Sequence, residues 1–202
     1  LRHREALISR KVQIINQVHG FLLEFGFSVV KGQLGLKRVT EILEKSHDRL
    51  DSSLIEILKA DIAECRRLDK EIEENEQTMI ANMTADDKYK RLLNVPGIGS
   101  ITAATLLISC PDPQNYHDGR AFAASIGLVP RQFSTGGNVK LGRITKTGNK
   151  QLRSLLVLCG QALLHSKKQD RLIQWAQELK KGKSHNVAVV AVANKLARIC
   201  WH

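Results

Sequence analysis

Apolar positions along the first 25 residues recur every three or four residues. This spacing is typical of an amphipathic helix, because about 3.6 residues complete one helical turn. The apolar members of this stripe are Leu7, Ile8, Ile14, Ile15, Val18, Leu22 and Phe25. Gly26 is predicted to end the helix, because glycine tolerates the left-handed conformation that commonly follows a helix C-terminus. A loop is expected over residues 28–36.

A second, longer helical pattern runs from about Leu36 to Met83. Its seam residues follow one another at steps of four and three, at Leu50, Leu54, Leu58, Asp61, Cys65, Leu68, Ile72, Asn75 and Met79. Charged residues flank the seam, as at the solvent-facing positions of coiled coils. The pattern predicts a coiled coil, either as an antiparallel hairpin within the chain or as a pairing with a second copy. Because Asp61 and Asn75 are polar seam residues of the kind that set partner number, we favour the homo-oligomer.

The centre of the chain holds a Pro-Gly-x-Gly turn between two predicted helices, the first starting at Asp86 or Asp87. Pro96 ends that helix because proline has no N–H to donate. Gly97 and Gly99 permit positive φ angles, and a helix of small residues follows from Ser100. This pattern is that of a helix-hairpin-helix, whose turn directs backbone N–H groups towards a phosphate. The alternative is a glycine-rich corner between two packed helices.

Further helices are predicted over 118–127, 150–165, 167–179 and 185–201, with Trp175 in the core. Residues 131–149 are glycine-rich and basic and have no helical periodicity, so we expect a loop with at most a short ribbon. The predicted fold is therefore mainly α. A helical linker and coiled coil over residues 1–85 precede a compact helical domain over 86–202, which carries the helix-hairpin-helix and the basic loop.

The net charge of +11 is unevenly distributed. Residues 1–90 hold 15 Lys+Arg and 16 Asp+Glu, whereas residues 91–202 hold 16 Lys+Arg and only 4 Asp+Glu. No carboxylate occurs between Arg120 and Gln169. Such a one-sided field suits nucleic acid. No stretch is apolar over the roughly 20 residues that span a bilayer, and no signal peptide is visible, so we expect no membrane partner and a cytoplasmic location.

The sequence contains few residue sets suited to metal binding or thiol chemistry. Cys65, Cys110, Cys159 and Cys200 are far apart and have no paired spacing, so we expect reduced thiols and no metal site in this chain. The histidines are isolated and the carboxylates flank helices, which gives no set for zinc or two-metal chemistry.

Residues 131–149 carry most of the candidate chemistry, around Ser134. A serine hydroxyl is a poor nucleophile until a base or a strong field activates it. Surrounding Arg and Lys side chains can bind a phosphodiester and stabilise the negative charge that builds on it. The alternative is a solvated loop that only holds backbone phosphates. The residues expected to contact nucleic acid are Pro96, Gly97, Gly99, Ser100, Arg131, Thr135, Gly136, Gly137, Lys140, Arg143, Lys146, Lys150 and Arg153.

Several motifs together resemble one known family. They are the runs Val95–Gly99, Phe122–Gln132, Ser134–Gly137, Leu141–Lys146, Gly148–Asn149, Leu152–Arg153 and Ala193–Arg198, with Leu7–Phe27 upstream. These runs resemble the bridge-RNA-guided bacterial insertion-sequence transposases, which carry a RuvC-like DEDD domain and a serine-bearing C-terminal transposase domain. The resemblance covers nearly the whole chain.

The resemblance implies a DNA recombinase in which Ser134 attacks a DNA phosphodiester and becomes covalently linked to it. Thr135 is the alternative nucleophile if the alignment shifts by one residue. In the family, four upstream carboxylates bind Mg²⁺ and act with the serine of a partner subunit. Those carboxylates belong before Leu1, so we expect the chain to be inactive in strand transfer on its own. A guide RNA is an implied partner besides DNA, and residues 36–83 would form the dimer.

Two other functions remain open at this stage. The helix-hairpin-helix and basic loop also suit a non-catalytic module that binds DNA or RNA. A coiled-coil scaffold is the third candidate, and the charge distribution counts against it. The resemblance alone favours the transposase over the binding module.

Overall fold

The computed structural model describes residues 1–29, 33–45, 50–135 and 138–202, with the backbone alone at positions 33, 34, 36, 134, 135, 138 and 139. The described residues form nine α-helices, one 3₁₀ turn and one two-stranded sheet, which confirms the mainly helical fold. They divide into two compact units, Leu1–Thr78 and Met79–His202. The boundary therefore lies within a helix, a few residues before the predicted one.

The first unit contains α1 (Arg2–Glu24), α2 (Gln33–Lys45) and most of α3 (Ser52–Ala81). The pattern predicted over 36–83 thus comprises two helices, and α2 begins inside the predicted loop. Gly26 has φ +81 and its N–H bonds to the carbonyl of Leu23, as the predicted helix end requires. The core of the unit is formed by Val18, Leu22, Val39, Ile42, Leu43, Leu50, Ile55, Leu58 and Ile62.

Ion pairs fix the relative direction of α1 and α3. Arg4 pairs with Glu76 at 2.6 Å, and Lys11, two turns later, pairs with Asp69. Because residue numbers rise along α1 as they fall along α3, the two helices run antiparallel. An antiparallel hairpin is one of the two predicted alternatives, whereas the coiled coil itself and pairing with a second copy stay predictions.

The second unit contains α4 (Asp87–Leu93), α5 (Ser100–Ser109), α6 (Gly119–Ser125), β1 (Pro130–Thr135), β2 (Asn138–Ile144), α7 (Lys150–His165), α8 (Arg171–Gly182) and α9 (His185–Trp201). Side chains cap four of these helices by accepting a backbone N–H in the first turn. The capping residues are Asp86 on α4, Asp118 on α6, Asn149 on α7 and Asp170 on α8.

Helices α7 and α9 form the centre of this unit. They approach so closely at Gly160 that a Cβ there would lie 2.7 Å from the carbonyl oxygen of Val189. Around this crossing Leu152, Leu156, Val192 and Leu196 are fully buried. Trp175, predicted to lie in the core, is half-buried and packs against the core of this unit, and Lys195 Nζ lies 3.9 Å from its ring centroid.

The segment predicted as a basic loop forms an antiparallel hairpin. Gln132 lies opposite Leu141, Phe133 opposite Lys140, and Ser134 opposite Val139. The ribbon is therefore the main structure of this segment, and the prediction of a loop is wrong over Pro130–Thr135 and Asn138–Ile144. The many glycines and charged residues leave no clear alternation of apolar and polar positions in this segment. Strand pairing depends on neighbours across the sheet, which such a local pattern does not show.

Candidate nucleic-acid interface

The base of the hairpin is held by a close approach of two backbone segments. Gly127 and Gly148 adopt φ values of +72 and +66. A Cβ on Gly148 would overlap the carbonyl oxygen of Ser125, so only glycine fits there. Backbone hydrogen bonds join the two segments, from Thr145 N to Val129 O at 2.9 Å and from Lys146 N to Gly127 O at 3.2 Å. We call this region, residues 125–129 and 145–148, the stem.

The Arg153 side chain links the two backbone segments of the stem. The side chain is buried, and Nη1 donates to the carbonyl oxygens of Ile126 at 3.1 Å and Thr147 at 2.6 Å. The structure thus corrects the expectation that Arg153 contacts nucleic acid, because its guanidinium is engaged inside the protein. No sequence signal indicates this position, since a buried and an exposed arginine look alike in a basic segment.

Exposed cations lie on the hairpin and beside its stem. Arg131, Lys140, Arg143 and Lys146 are all exposed, and Lys150 is exposed at the start of α7. The chain between Gly119 and Gln169 contains no carboxylate to neutralise them. The hairpin therefore presents a positive surface of the kind that binds backbone phosphates.

The predicted nucleophile lies on this hairpin. The backbone of Ser134 belongs to β1 and pairs with Val139, while the side chains of Ser134 and Thr135, and the whole of Gly136 and Gly137, lie outside the described residues. The neighbouring residue Phe133 is 62% exposed. The Ser134 backbone thus lies on the same two strands as the exposed residues Arg131, Lys140 and Arg143.

The predicted helix-hairpin-helix corresponds to α4 and α5, joined by residues 94–99. Pro96 and Ser100 are half-buried. Gly97 has the expected positive φ, +84, and a Cβ there would lie 2.8 Å from Leu163 Cγ. Gly99 differs from the prediction: its φ is −93, and it is the N-cap of α5. No heavy atom lies within 4 Å of a Cβ built there. The N-terminus of α5 therefore has open space beside its unpaired N–H groups.

This open space allows a test of phosphate binding at α5. Asp and Asn are equally good N-cap residues, so Gly99→Asp and Gly99→Asn should both preserve the fold. If a phosphate approaches the α5 N-terminus, the aspartate variant should bind DNA about 10-fold more weakly than the asparagine variant, because like charges repel. Fluorescence anisotropy with a labelled duplex measures the difference.

The same pair of substitutions at Gly182 provides the control, because that position is also open and lies at the end of α8. Equal binding by the two Gly99 variants would place the phosphates elsewhere and favour the packed-corner interpretation.

Three cations near the hairpin were not among the predicted contacts. Arg120, at the start of α6, and Lys195 and Arg198, on α9, line the same groove as Arg143 and Lys146. Sequence reasoning missed them because they lie on helices distant in the chain. Their helical spacing on α9, three residues apart, was the available signal.

Metal and thiol chemistry are poorly supported by the part of the chain that the structure describes. No group of three or more His, Cys, Asp or Glu side chains is close enough to hold a metal ion there. The four cysteines are free. Burial raises the pKa of the Cys159 thiol and raises that of Cys200 to about 12, so both are protonated at neutral pH. No described helix has the length and apolar character to cross a membrane.

Comparison with known proteins identifies the relatives of this sequence. Residues 89–174 match the family model of the transposase IS116/IS110/IS902 family. The chain is 41% identical to the transposase for insertion sequence element IS1328 of Yersinia enterocolitica, over 99% of this chain and 60% of that protein. It is 34% identical to the transposase for insertion sequence element IS1111A of Coxiella burnetii, over 100% of this chain and 56% of that protein.

The chain therefore spans about 60% of the length of these relatives. The matched segment begins in α4 and ends in α8, so it includes the turn between α4 and α5, the stem and the hairpin. Residues 89–174 are similar to the transposase IS116/IS110/IS902 family, and nearly the whole chain is similar to insertion-sequence transposases.

Proposed function

We propose that this chain is the serine-bearing part of a DNA transposase, in which the hairpin holds a DNA strand and Ser134 cleaves it. The observation that carries the proposal is that the hairpin containing Ser134 bears exposed cations and stands on a stem whose two segments are hydrogen-bonded to each other. A catalytic group must be held in a fixed position, and Gly127, Gly148 and Arg153 supply that support. The similarity to insertion-sequence transposases supports the reaction class.

The proposed step is a transesterification. The Ser134 hydroxyl oxygen bonds to the phosphorus of a DNA phosphodiester, and the bond from that phosphorus to one deoxyribose oxygen breaks. The proton lost by the serine ends on the departing deoxyribose hydroxyl. The product is a serine–DNA phosphodiester, which the hydroxyl of another strand can attack in the reverse sense to exchange strands. Arg131 and Arg143, exposed on the hairpin, are the candidates for stabilising charge on the phosphate.

Other components of the reaction would come from beyond the described residues. The Mg²⁺ that the family resemblance implies has no matching cluster among them, so no step is assigned to a metal here. We propose that a carboxylate-bearing domain, a guide RNA and a second copy of the chain complete the active assembly. The positive charge of residues 91–202 suits contacts to both DNA and RNA.

The test is formation of a denaturation-resistant protein–DNA adduct. The chain would be joined to a DEDD-type domain and incubated with Mg²⁺, guide RNA and labelled donor and target DNA. Ser134→Ala should abolish the adduct while DNA binding changes less than 2-fold, because the substitution removes one hydroxyl and no charge. Thr135→Ala is the matched control and should retain the adduct.

The alternative function is a binding module without chemistry. The exposed cations favour it as strongly as they favour the enzyme, since phosphate binding needs no nucleophile. Tight, salt-dependent binding without an adduct from any variant would establish the module. An adduct that survives Ser134→Ala and is lost in Thr135→Ala would move the nucleophile by one residue.

A further inference from the structure

An open groove of about 1550 Å³ lies in the second unit between β2 and α9. One wall is formed by the end of β2 and the segment that follows, which carry Arg143 and Lys146. The opposite wall is α9, with Lys195 and Arg198, and Arg120 lies at the start of α6. We call it the α9 groove. It is continuous with the hairpin, because β2 contributes to both.

The charges around the α9 groove are almost all positive. Five Lys and Arg side chains line it, and the single acidic side chain in the lining is that of Asp118. That carboxylate already caps α6 by accepting the N–H of Ala121 at 2.7 Å, and this hydrogen bond lowers its pKa. No ion pair described in the structure uses Arg143, Lys146 or Arg198. The groove is therefore complementary to a polyanion.

Apolar side chains are exposed in the same groove. Leu141 is 61% exposed, Val187 53% and Ile199 37%, and Trp175 also lines the groove. A DNA duplex presents mainly phosphates to a groove of this kind and leaves such side chains without partners. A single strand also exposes sugars and base faces, which pack against apolar and aromatic groups. The mixture of cations and apolar residues thus favours a single strand.

We propose that the α9 groove binds a single nucleic-acid strand that continues from the hairpin. Arg120, Arg143 and Arg198 contact its phosphates, and its bases and sugars pack on the apolar residues of α9 and β2. This proposal rests on the proposed function, because a strand opened at the hairpin needs a path across the protein. It adds residues of α6 and α9 to the contacts predicted from the sequence, which lie on the turn between α4 and α5, on the hairpin and at the start of α7.

The test compares double variants with the same change in charge. Arg120→Gln/Arg198→Gln removes two cations from the groove, and Arg171→Gln/Lys180→Gln removes two exposed cations of α8 outside it. Binding to a labelled single-stranded oligonucleotide and to a duplex of the same length is measured over a range of salt concentrations. The groove variant should bind the single strand about 10-fold more weakly, with a smaller loss for the duplex. Its slope of log K against log salt should fall by about 1.4, since each contact contributes roughly 0.7 for single strands.

A second variant tests the apolar wall. Val187→Ser should weaken single-strand binding about 3-fold and leave the salt slope unchanged, because no charge is altered. Equal losses in the groove and control variants, or equal losses for single strand and duplex, would overturn the proposal. A groove variant that changes the mass of the protein in sedimentation, with unchanged oligonucleotide affinity, would assign the groove to a second copy of the chain. Failure of the parent chain to bind any oligonucleotide would instead contradict the proposed function.

Discussion

Replacing Gly148 by alanine should lower the free energy of unfolding of the second unit by about 3 kcal/mol. Two costs combine at this position. Alanine is strained at φ +66, and its methyl group would overlap the carbonyl oxygen of Ser125. The obstacle is backbone, so the stem must open to relieve it. Urea unfolding followed by tryptophan fluorescence measures the change, because Trp175 and Trp201 both lie in this unit.

Gly182→Ala is the matched control for this experiment. That residue ends α8, and no heavy atom lies within 4 Å of a Cβ built there. Its unfolding midpoint should stay close to that of the parent chain. A Gly148→Ala variant as stable as the control would show that the stem is loosely packed. Such a stem could not hold the hairpin in the fixed position that catalysis requires.

The second large effect is expected at the crossing of α7 and α9. Gly160→Ala places a methyl group 2.7 Å from the carbonyl oxygen of Val189, so the two helices must separate. Overpacking of this kind costs about 1–3 kcal/mol, which exceeds the roughly 1 kcal/mol that alanine gains over glycine as a helix former. We therefore expect Gly160→Ala to destabilise the second unit in the same fluorescence assay.

The reverse substitution on the same helix separates packing from helix propensity. Ala162 is exposed, so Ala162→Gly should cost about 1 kcal/mol through propensity alone. Alanine should thus be the better residue at 162 and the worse one at 160. Stabilisation by alanine at both positions would mean that α7 and α9 are farther apart than the structure has them.

Local signals were enough to predict several helices of the second unit. The sequence predicts α7 over Lys150–His165 and α9 over His185–Trp201, which are the bounds in the structure. Both follow from short-range features, because apolar residues at helical spacing and a cap such as Asn149 act within a few residues. The start of α4 after the cap Asp86 was predicted for the same reason.

The hairpin and its stem depend on residues that are distant in the chain. The stem forms because Gly148 meets Ser125 and Arg153 reaches Ile126, contacts that span more than 20 residues. A sequence pattern shows a glycine or an arginine but not the backbone it meets, so the segment resembled a loop. The sequence therefore predicts that Arg153 contacts nucleic acid, whereas in the structure its guanidinium donates hydrogen bonds to two backbone carbonyl oxygens. For the same reason the cations of α9 were missed, since only folding brings them beside β2.

Because of the ion pairs between α1 and α3, ionic strength should affect the stability of the two units differently. The first unit has 13 Lys+Arg and 14 Asp+Glu, paired across its helices, so added salt screens attraction. The second has 18 Lys+Arg and 6 Asp+Glu, so the same salt screens repulsion between like charges. Added salt should thus lower the free energy of unfolding of the first unit and raise that of the second. A buffer chosen to weaken nucleic-acid binding would also change which half unfolds first.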